Sequence, residues 1–359
     1  MTRTVYLNGD YLPETEARVS IFDRGFVMGD GVYEVTSVLD GKILEFEGHL
    51  ARLTRSLNEL GMENPLSRQE WLDIHHKLVA LNDIREGLIY LQVTRGNPGD
   101  RDFAYPPEGT PLTVVLFTQA KPGLADNPQA KTGIRVISIP DLRWGRRDIK
   151  TVQLLYPSMA KMEAKHQGVD DAWFTEDGFV TEGTSNNTYI VKGGKIVTRQ
   201  LSNDILHGIT RASLLRYAAE AQMQIEERPF TIAEAQAADE AFFTSASAFV
   251  MPVVEIDGAQ IGGGKPGKIA ARLREIYIDY ARKGGVLCFV EVKTRTNLSC
   301  GLPREYVTPQ KQERLRKTAA WYLMAKDLDC PARFDVAEVY ADGPHPQKAA
   351  RIEYIENAF

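Results

Sequence analysis

Pairs of short apolar runs joined by glycine turns recur along this chain, and no other feature limits its fold so strongly. TVYLNGDYL doubles back at Asn8-Gly9-Asp10 and GVYEVTSVLDGKILEF at Asp40-Gly41; DAWFTEDGFVTEG and NNTYIVKGGKIVT repeat the pattern. Such dipeptides supply the positive φ angles of tight hairpin turns, so each predicts an antiparallel ribbon. Further strand-like runs are LIYLQVTRG, TPLTVVLFTQ, GIRVISIP and EAFFTSASAFVMPVVEI, the last read as one strand region.

Helical periodicity separates the ribbons. From Glu47 to Leu60 the apolar residues Leu50, Leu53, Leu57 and Leu60 form one stripe, while His49, Arg52 and Ser56 share another face. Taken alone, that polar face reads as solvated surface. Other helices are expected at Arg68–Val79, Ala160–Gln167, Arg211–Met223 and Ala270–Lys283. Strands and helices in this mixture give an α+β chain with largely antiparallel sheets.

Length and punctuation divide the chain. At roughly 100–200 residues per domain, 359 residues make two or three domains. KPGLADNPQA (Lys121–Ala130), with its two prolines and a glycine, is the best internal boundary. The expected domains are 1–120, 121–283 and 284–359. The last carries 11 Lys plus Arg against 10 Asp plus Glu, although the whole chain is at −5, and it contains Cys288, Cys300 and Cys330. These three form no CxxC pair and read as reduced packing thiols. No apolar run approaches the ~18 residues of a membrane span, and the start has no signal-like hydrophobic stretch. A cytoplasmic protein is expected, and the mildly acidic balance gives no global electrostatic case for nucleic acid.

The sequence has no GxxxxGK[ST] loop, no GxGxxG directly after a predicted strand, no HExxH zinc helix and no GxSxG elbow, and His75-His76 reads as packing or surface rather than metal ligation, so no metal is expected. Lysine, glutamate, arginine and glycine remain. That set suits a phosphate-bearing aldehyde cofactor.

GDGVYEV (Gly29–Val35), HLARL (His49–Leu53), DIKTVQLL (Asp148–Leu155), TEGTSNN (Thr181–Asn187), GITR (Gly208–Arg211) and TSASAFVMPV (Thr244–Val253) follow one another over residues 1–283. In this order and at these intervals they resemble the two-lobed fold-type IV pyridoxal-phosphate aminotransferases, in particular the D-amino acid branch. The resemblance implies that Lys150 is the Schiff-base lysine; spacing alone does not choose it over Lys161 or Lys165. An imine-forming amine must be partly deprotonated, which desolvation beside another cation favours. It implies that Glu182 partners the pyridine nitrogen, keeping the ring an electron sink. Arg52, Ile209 and Thr210 would hold the phosphate, the latter two at a helix N-terminus whose N–H groups favour an anion. Ser245 and Ala246 would add a second contact, with Ala246 offering only backbone.

For the substrate's α-carboxylate the resemblance implies Tyr33, together with Arg101 from the neighbouring subunit. Phe103 stands where the D-amino acid enzymes carry a histidine. A planar guanidinium suits a bidentate carboxylate. The expected reaction is ping-pong transamination between a D-amino acid of the D-alanine or D-glutamate type and a 2-oxo acid, in a homodimer, with pyridoxal 5'-phosphate as cofactor. Branched-chain L-amino acid aminotransferases and aminodeoxychorismate lyases are the alternatives within the fold. A protein that holds the cofactor without turnover is another reading.

FVEVKTR (Phe289–Arg295), VTPQKQERLRKTAAWYL (Val307–Leu323), RFDV (Arg333–Val336) and the final IENAF resemble the second half of YraN-type proteins of restriction-endonuclease-like α/β fold. Glu291 and Lys293 at i and i+2 project to one face, as a metal-dependent phosphodiesterase would require. The half that carries that family's other acidic ligand does not precede them, so nucleic-acid cleavage by this partial tail is the different-class alternative and not the expected activity.

Overall fold

The computed structural model describes residues 2–283, 287–295, 307–325, 332–341, 349–355 and 358–359. It forms two compact units, Met1–Arg282 and Lys283–Phe359. Among the described residues no helix is long and apolar enough to cross a membrane.

Unit 1 contains two sheets. The first joins β1 (Thr4–Leu7), β2 (Asp10–Pro13), β3 (Gly31–Leu39), β4 (Lys42–Ile43), β5 (Gly87–Thr94) and β6 (Thr113–Ala120) in the order β2-β1-β6-β5-β3-β4. Every pair is antiparallel, and the turns at Asn8-Gly9 and Asp40-Gly41 join β1 to β2 and β3 to β4 as predicted. Three helices accompany it: α1 (Arg24–Met28), α2 (Phe46–Glu59) and α3 (Arg68–Leu81). Ser67 and Glu70 form a reciprocal capping box at the start of α3. The leucine stripe of α2 enters the core, where Leu53 and Leu57 pack with Val32, Trp71, Leu78 and Ile89.

The second sheet begins beyond α4 (Gln129–Thr132). Its elements are β7 (Ile134–Pro140), α5 (Leu155–His166), β8 (Asp171–Glu176), β9 (Phe179–Gly183), β10 (Asn187–Lys192), β11 (Lys195–Thr198), α6 (Ile209–Glu220), β12 (Ile225–Glu227), α7 (Ile232–Gln236), β13 (Glu240–Ser245), β14 (Phe249–Ile256), β15 (Ala259–Gln260) and α8 (Lys268–Lys283). The strands run β12-β11-β10-β13-β14-β7-β8-β9, with β15 on β14. Parallel pairing is confined to β11/β12, β14/β7 and β7/β8. The single strand region expected at 240–256 is a hairpin. Its turn carries no Asn-Gly or Asp-Gly signal; instead Phe249 takes φ +58°, a conformation that an aromatic residue adopts only when its surroundings compel it.

Unit 2 has β16 (Leu287–Arg295), α9 (Pro309–Ala325), β17 (Ala332–Ala341) and β18 (Ala349–Ile355). β16 pairs with β17 in parallel and β18 with β17 antiparallel. Thr308 Oγ1 accepts the Lys311 N–H at the head of α9, whose first residue is Pro309. Phe289 stacks on Phe334 and meets Tyr322 of α9 edge-on. Lys293 and Lys311 both pair with Glu291, at 2.9 and 3.4 Å. Cys288 is exposed rather than a packing thiol, while Cys300 and Cys330 lie outside the described residues.

Candidate active site

A cavity of about 920 Å³ opens between the two sheets of unit 1 and draws its wall from both. Lys150, Glu182, Arg52, Tyr33, Ile209, Thr210, Ser245 and Ala246 all line it. These residues are scattered over more than 200 positions of sequence, and folding brings them together.

Lys150 sits on a short segment bonded to the start of β3. The Tyr33 N–H donates to the Lys150 carbonyl at 3.0 Å, the Val152 N–H donates to the Gly31 carbonyl at 3.0 Å, and Thr151 bridges to Val32. Just upstream, buried Asp148 is gripped by Arg55 and Arg146. The lysine backbone is thereby anchored from both sides. Its Nζ lies 4.1 Å from the centre of the Tyr33 ring. Tyr33 stacks on Tyr90 at 5.6 Å, and Tyr90 in turn on Phe117 at 4.8 Å. Lys161 and Lys165 are on α5; Lys161 pairs with Asp171 instead.

Glu182, at the end of β9, is 4% exposed. Its Oε1 accepts from Arg143 Nη1 at 2.6 Å, and its Oε2 accepts from the Leu206 N–H at 2.9 Å and Asn187 Nδ2 at 3.1 Å. Burial pushes the acid upward from its ordinary value, against the pull of Arg143 and the Leu206 N–H. Such a group shares a proton readily with a basic ring nitrogen.

Another part of the wall is the N-terminus of a helix. α6 starts at Gly208 with no side-chain cap and no acid in its first turn, leaving its leading N–H groups to a ligand. The helix begins two residues before the expected Arg211, so Ile209 and Thr210 occupy that first turn. A Cβ at Gly208 would lie 2.0 Å from Asn187 Oδ1, so the close approach of the head of α6 to the start of β10 requires glycine. The turn after β13 presents Ser245, Ala246 and Ser247, with the Ala246 carbonyl held by Ser37 Oγ at 2.6 Å.

Arg52 belongs to a buried charge cluster. Its Nε and Nη2 grip Glu34 bidentately at 2.8 and 2.7 Å, its Nη1 reaches the His207 carbonyl at 3.0 Å, and His49 Nδ1 meets Glu34 Oε2 at 2.7 Å. Burial favours the neutral acid, but Arg52 and His49 win and hold Glu34 down at about 2. With Glu34 ionised, His49 Nδ1 is the donor. Burial keeps His49 below its ordinary value. The α2 face that read as solvated is therefore buried: His49, Arg52 and Ser56 are 6%, 8% and 1% exposed.

Two expected residues stand apart. Arg101 and Phe103 are on the exposed loop between β5 and β6, their guanidinium and ring 4.8 Å apart, and neither lines the cavity of its own chain. Sequence reasoning passed over Arg143, Asn187 and the Glu34–His49 pair as participants. The available signal for Arg143 was an arginine-rich run interleaved with acids, DLRWGRRD, directly before the lysine. Among the described residues no group of three or more His, Cys, Asp or Glu could hold a metal ion.

An amine, a buried acid and an anion-binding helix end around one cavity fit a cofactor with an aldehyde, a ring nitrogen and a phosphate. Comparison with known proteins agrees. Residues 31–256 match the family Amino-transferase class IV, and residues 269–339 match Uncharacterised protein family UPF0102, a stretch that includes most of α8. The D-alanine aminotransferase of Staphylococcus aureus is 36% identical over 276 residues, covering 77% of this chain and 97% of that protein. That of Bacillus licheniformis is 39% identical over 271 residues, 75% and 94% of the two chains. The T.th. branched-chain amino acid aminotransferase solved with pyridoxamine 5'-phosphate superposes with a TM-score of 0.72 at 27% identity, covering 78% of this chain and 94% of its own. The chain therefore belongs to the class IV aminotransferases, pyridoxal-phosphate-dependent enzymes of two-lobed α+β fold.

Proposed function

We propose that this protein transfers the amino group of a D-amino acid, of the D-alanine or D-glutamate type, to a 2-oxo acid. The observation that carries the reading is the placement of Lys150 and Glu182 on one cavity that ends at the uncapped head of α6. Similarity to D-alanine aminotransferases supports the choice of D-amino acids.

Pyridoxal 5'-phosphate, when bound, supplies an electrophilic carbon and an electron sink for charge released at the substrate's α-carbon. Lys150 Nζ is the amine that would hold the cofactor's aldehyde carbon, and it is the base that would take and return the substrate's α-proton. Glu182 holds the proton shared with the ring nitrogen, oriented by Arg143, Asn187 and the Leu206 N–H. The N–H groups of Ile209 and Thr210, with Ser245, the Ala246 backbone and Arg52, bind phosphate. Glu34 already neutralises much of Arg52, so in our reading helix α6 carries the larger share of that work.

Tyr33 and a partner protomer's arginine, equivalent to Arg101, take the substrate carboxylate in our reading, and the enzyme works as a homodimer. Large exposed apolar residues at the cavity mouth, Phe26, Leu155 and Met159, support an interface there. In the same reading the tail contributes nothing to transamination.

The test mixes purified protein and cofactor with D-alanine or L-leucine and 2-oxoglutarate, then follows pyruvate or the branched 2-oxo acid. Pyruvate from D-alanine supports the proposal. Turnover of L-leucine alone assigns the branched-chain reaction instead, which the structural neighbour's own specificity would favour. No turnover of any amino acid by a protein that takes up the cofactor discards transamination.

A further inference from the structure

We infer that Arg24 is a positioning residue for the substrate carboxylate, acting through the loop that carries Arg101. This deepens the reading of Arg101 above and rests on it. The segment Asp23-Arg24-Gly25 lies outside every motif used in the sequence analysis, yet it ties down both stems and the middle of the loop between β5 and β6.

Asp23 Oδ2 accepts from Thr94 Oγ1 at 3.0 Å and Thr113 Oγ1 at 2.6 Å, joining the last residue of β5 to the first of β6. The Arg24 N–H donates to the Gly96 carbonyl at 2.9 Å. Arg24 Nη1 donates to the carbonyls of Asp102 and Ala104, at 2.6 and 3.0 Å, which flank Phe103, Asp102 following directly on Arg101. Arg24 Nε is fixed by Asp30 Oδ2 at 2.7 Å, and Arg95 Nε shares that oxygen at 2.8 Å. Both guanidiniums face the Tyr105 ring, Arg95 at 3.7 Å and Arg24 at 5.7 Å. Gly25 has no room for a Cβ, which would lie 2.3 Å from Thr94 Cγ2.

Asp30 precedes β3, three residues before Tyr33. One charge cluster thus sets the start of the strand bearing Tyr33 and the backbone on either side of Phe103. A loop of glycine, proline and exposed side chains has little packing of its own to hold Arg101 in one place. Two charge-assisted bonds from a buried guanidinium supply that hold, so the loop keeps its shape before a substrate arrives.

The experiment uses the full-length, cofactor-loaded enzyme with Arg24→Met, with Tyr105→Ala as a second variant at a side chain that is 64% exposed and so tolerant of change. Asp30 keeps Arg95 when Arg24 is lost, so no buried carboxylate is stranded. Amide exchange across residues 97–110 should quicken by about tenfold or more, as local opening becomes easier. KM for D-alanine should rise about fivefold or more, with kcat and cofactor affinity within about twofold, the pattern of lost substrate binding alone. Unchanged KM in both variants, while Arg101→Ala raises it, overturns the positioning role and leaves the reading of Arg101 standing. Unchanged KM in Arg101→Ala overturns both.

Discussion

Arg143 donates from Nη1 to Glu182 Oε1 at 2.6 Å, and the same guanidinium holds Asp141 through Nε at 2.9 Å and Nη2 at 2.7 Å. The cation therefore lies between two buried acids, with its Cζ 4.5 Å from the centre of the Phe174 ring. Burial works against its charge, but the two carboxylates hold it protonated throughout the working range. Glu182 owes its orientation and much of its ionisation to this arginine.

Arg143→Gln is expected to lower kcat by roughly 10- to 100-fold, because breaking a buried pair leaves Glu182 with neutral partners and pushes its acid further up. Steady-state kinetics, with the pH dependence of the cofactor's visible absorbance in wild type and variant, check it. An unchanged absorbance titration would show that Glu182 keeps its state without the arginine.

Gly208→Ala is expected to weaken cofactor binding by about tenfold, roughly the cost of displacing one well-placed hydrogen-bonding group. Its φ of −66° suits alanine, so the conflict is steric: the new Cβ meets Asn187 Oδ1 at 2.0 Å. Asn187 Nδ2 donates to both Glu182 and the Leu206 carbonyl, so pushing it disturbs the acid too. Equilibrium dialysis of the cofactor is the measurement. Adding Asn187→Ser, which vacates the space, should recover part of the loss.

Much of this site was readable in the residues, and the part that was not has a common cause. The leucine stripe of α2 follows from spacing within one helix, and Leu53 and Leu57 are indeed in the core. The opposite face could not be read that way. What buries His49 and Arg52 is Glu34, on a strand 15 and 18 residues upstream, and no periodicity records such a pairing. Lys150 likewise differs from Lys161 through its backbone bonds to β3, a contact between distant segments. Arg24, at the head of the short helix α1 and outside every periodic segment, was silent for the same reason.

His75 should make the protein acid-labile in a defined window. It is 3% exposed, its Nδ1 is 2.7 Å from the Trp71 carbonyl, and burial holds it at about 4 against an ordinary 6.5. The unfolded chain takes up this proton first, so the contribution is complete above about 6.5 and is lost as pH falls toward about 4, an effect on the order of 3 kcal/mol. Urea unfolding at pH 7 and pH 4.5 should show wild type losing more stability than His75→Phe between the two conditions. Parallel losses would assign the acid lability to other groups.

Arg274 offers the severest test of how the turn that we propose to contact the phosphate is supported. On α8, and only 7% exposed, it donates from Nη1 to the carbonyls of Ala248 and Val250 at 2.6 and 2.8 Å, and from Nη2 to those of Leu124 and Ala125 at 3.3 and 2.9 Å. Among the described residues it has no carboxylate within ion-pair distance. Burial lowers its value, with Asp126 opposing from farther away. One side chain thus joins the linker between the sheets to the hairpin whose turn presents Ser245 and Ala246, and braces the positive φ of Phe249. Arg274→Met orphans four carbonyls at once, for which a loss of about 3–5 kcal/mol is expected. Lysine, with a single head group in place of a fork, should restore less than half of it. Because two of the four carbonyls belong to that hairpin, cofactor affinity should fall in Arg274→Lys even at temperatures where it is fully folded. A variant that loses stability yet binds cofactor like wild type would show that the turn holds its shape by its own strand pairing.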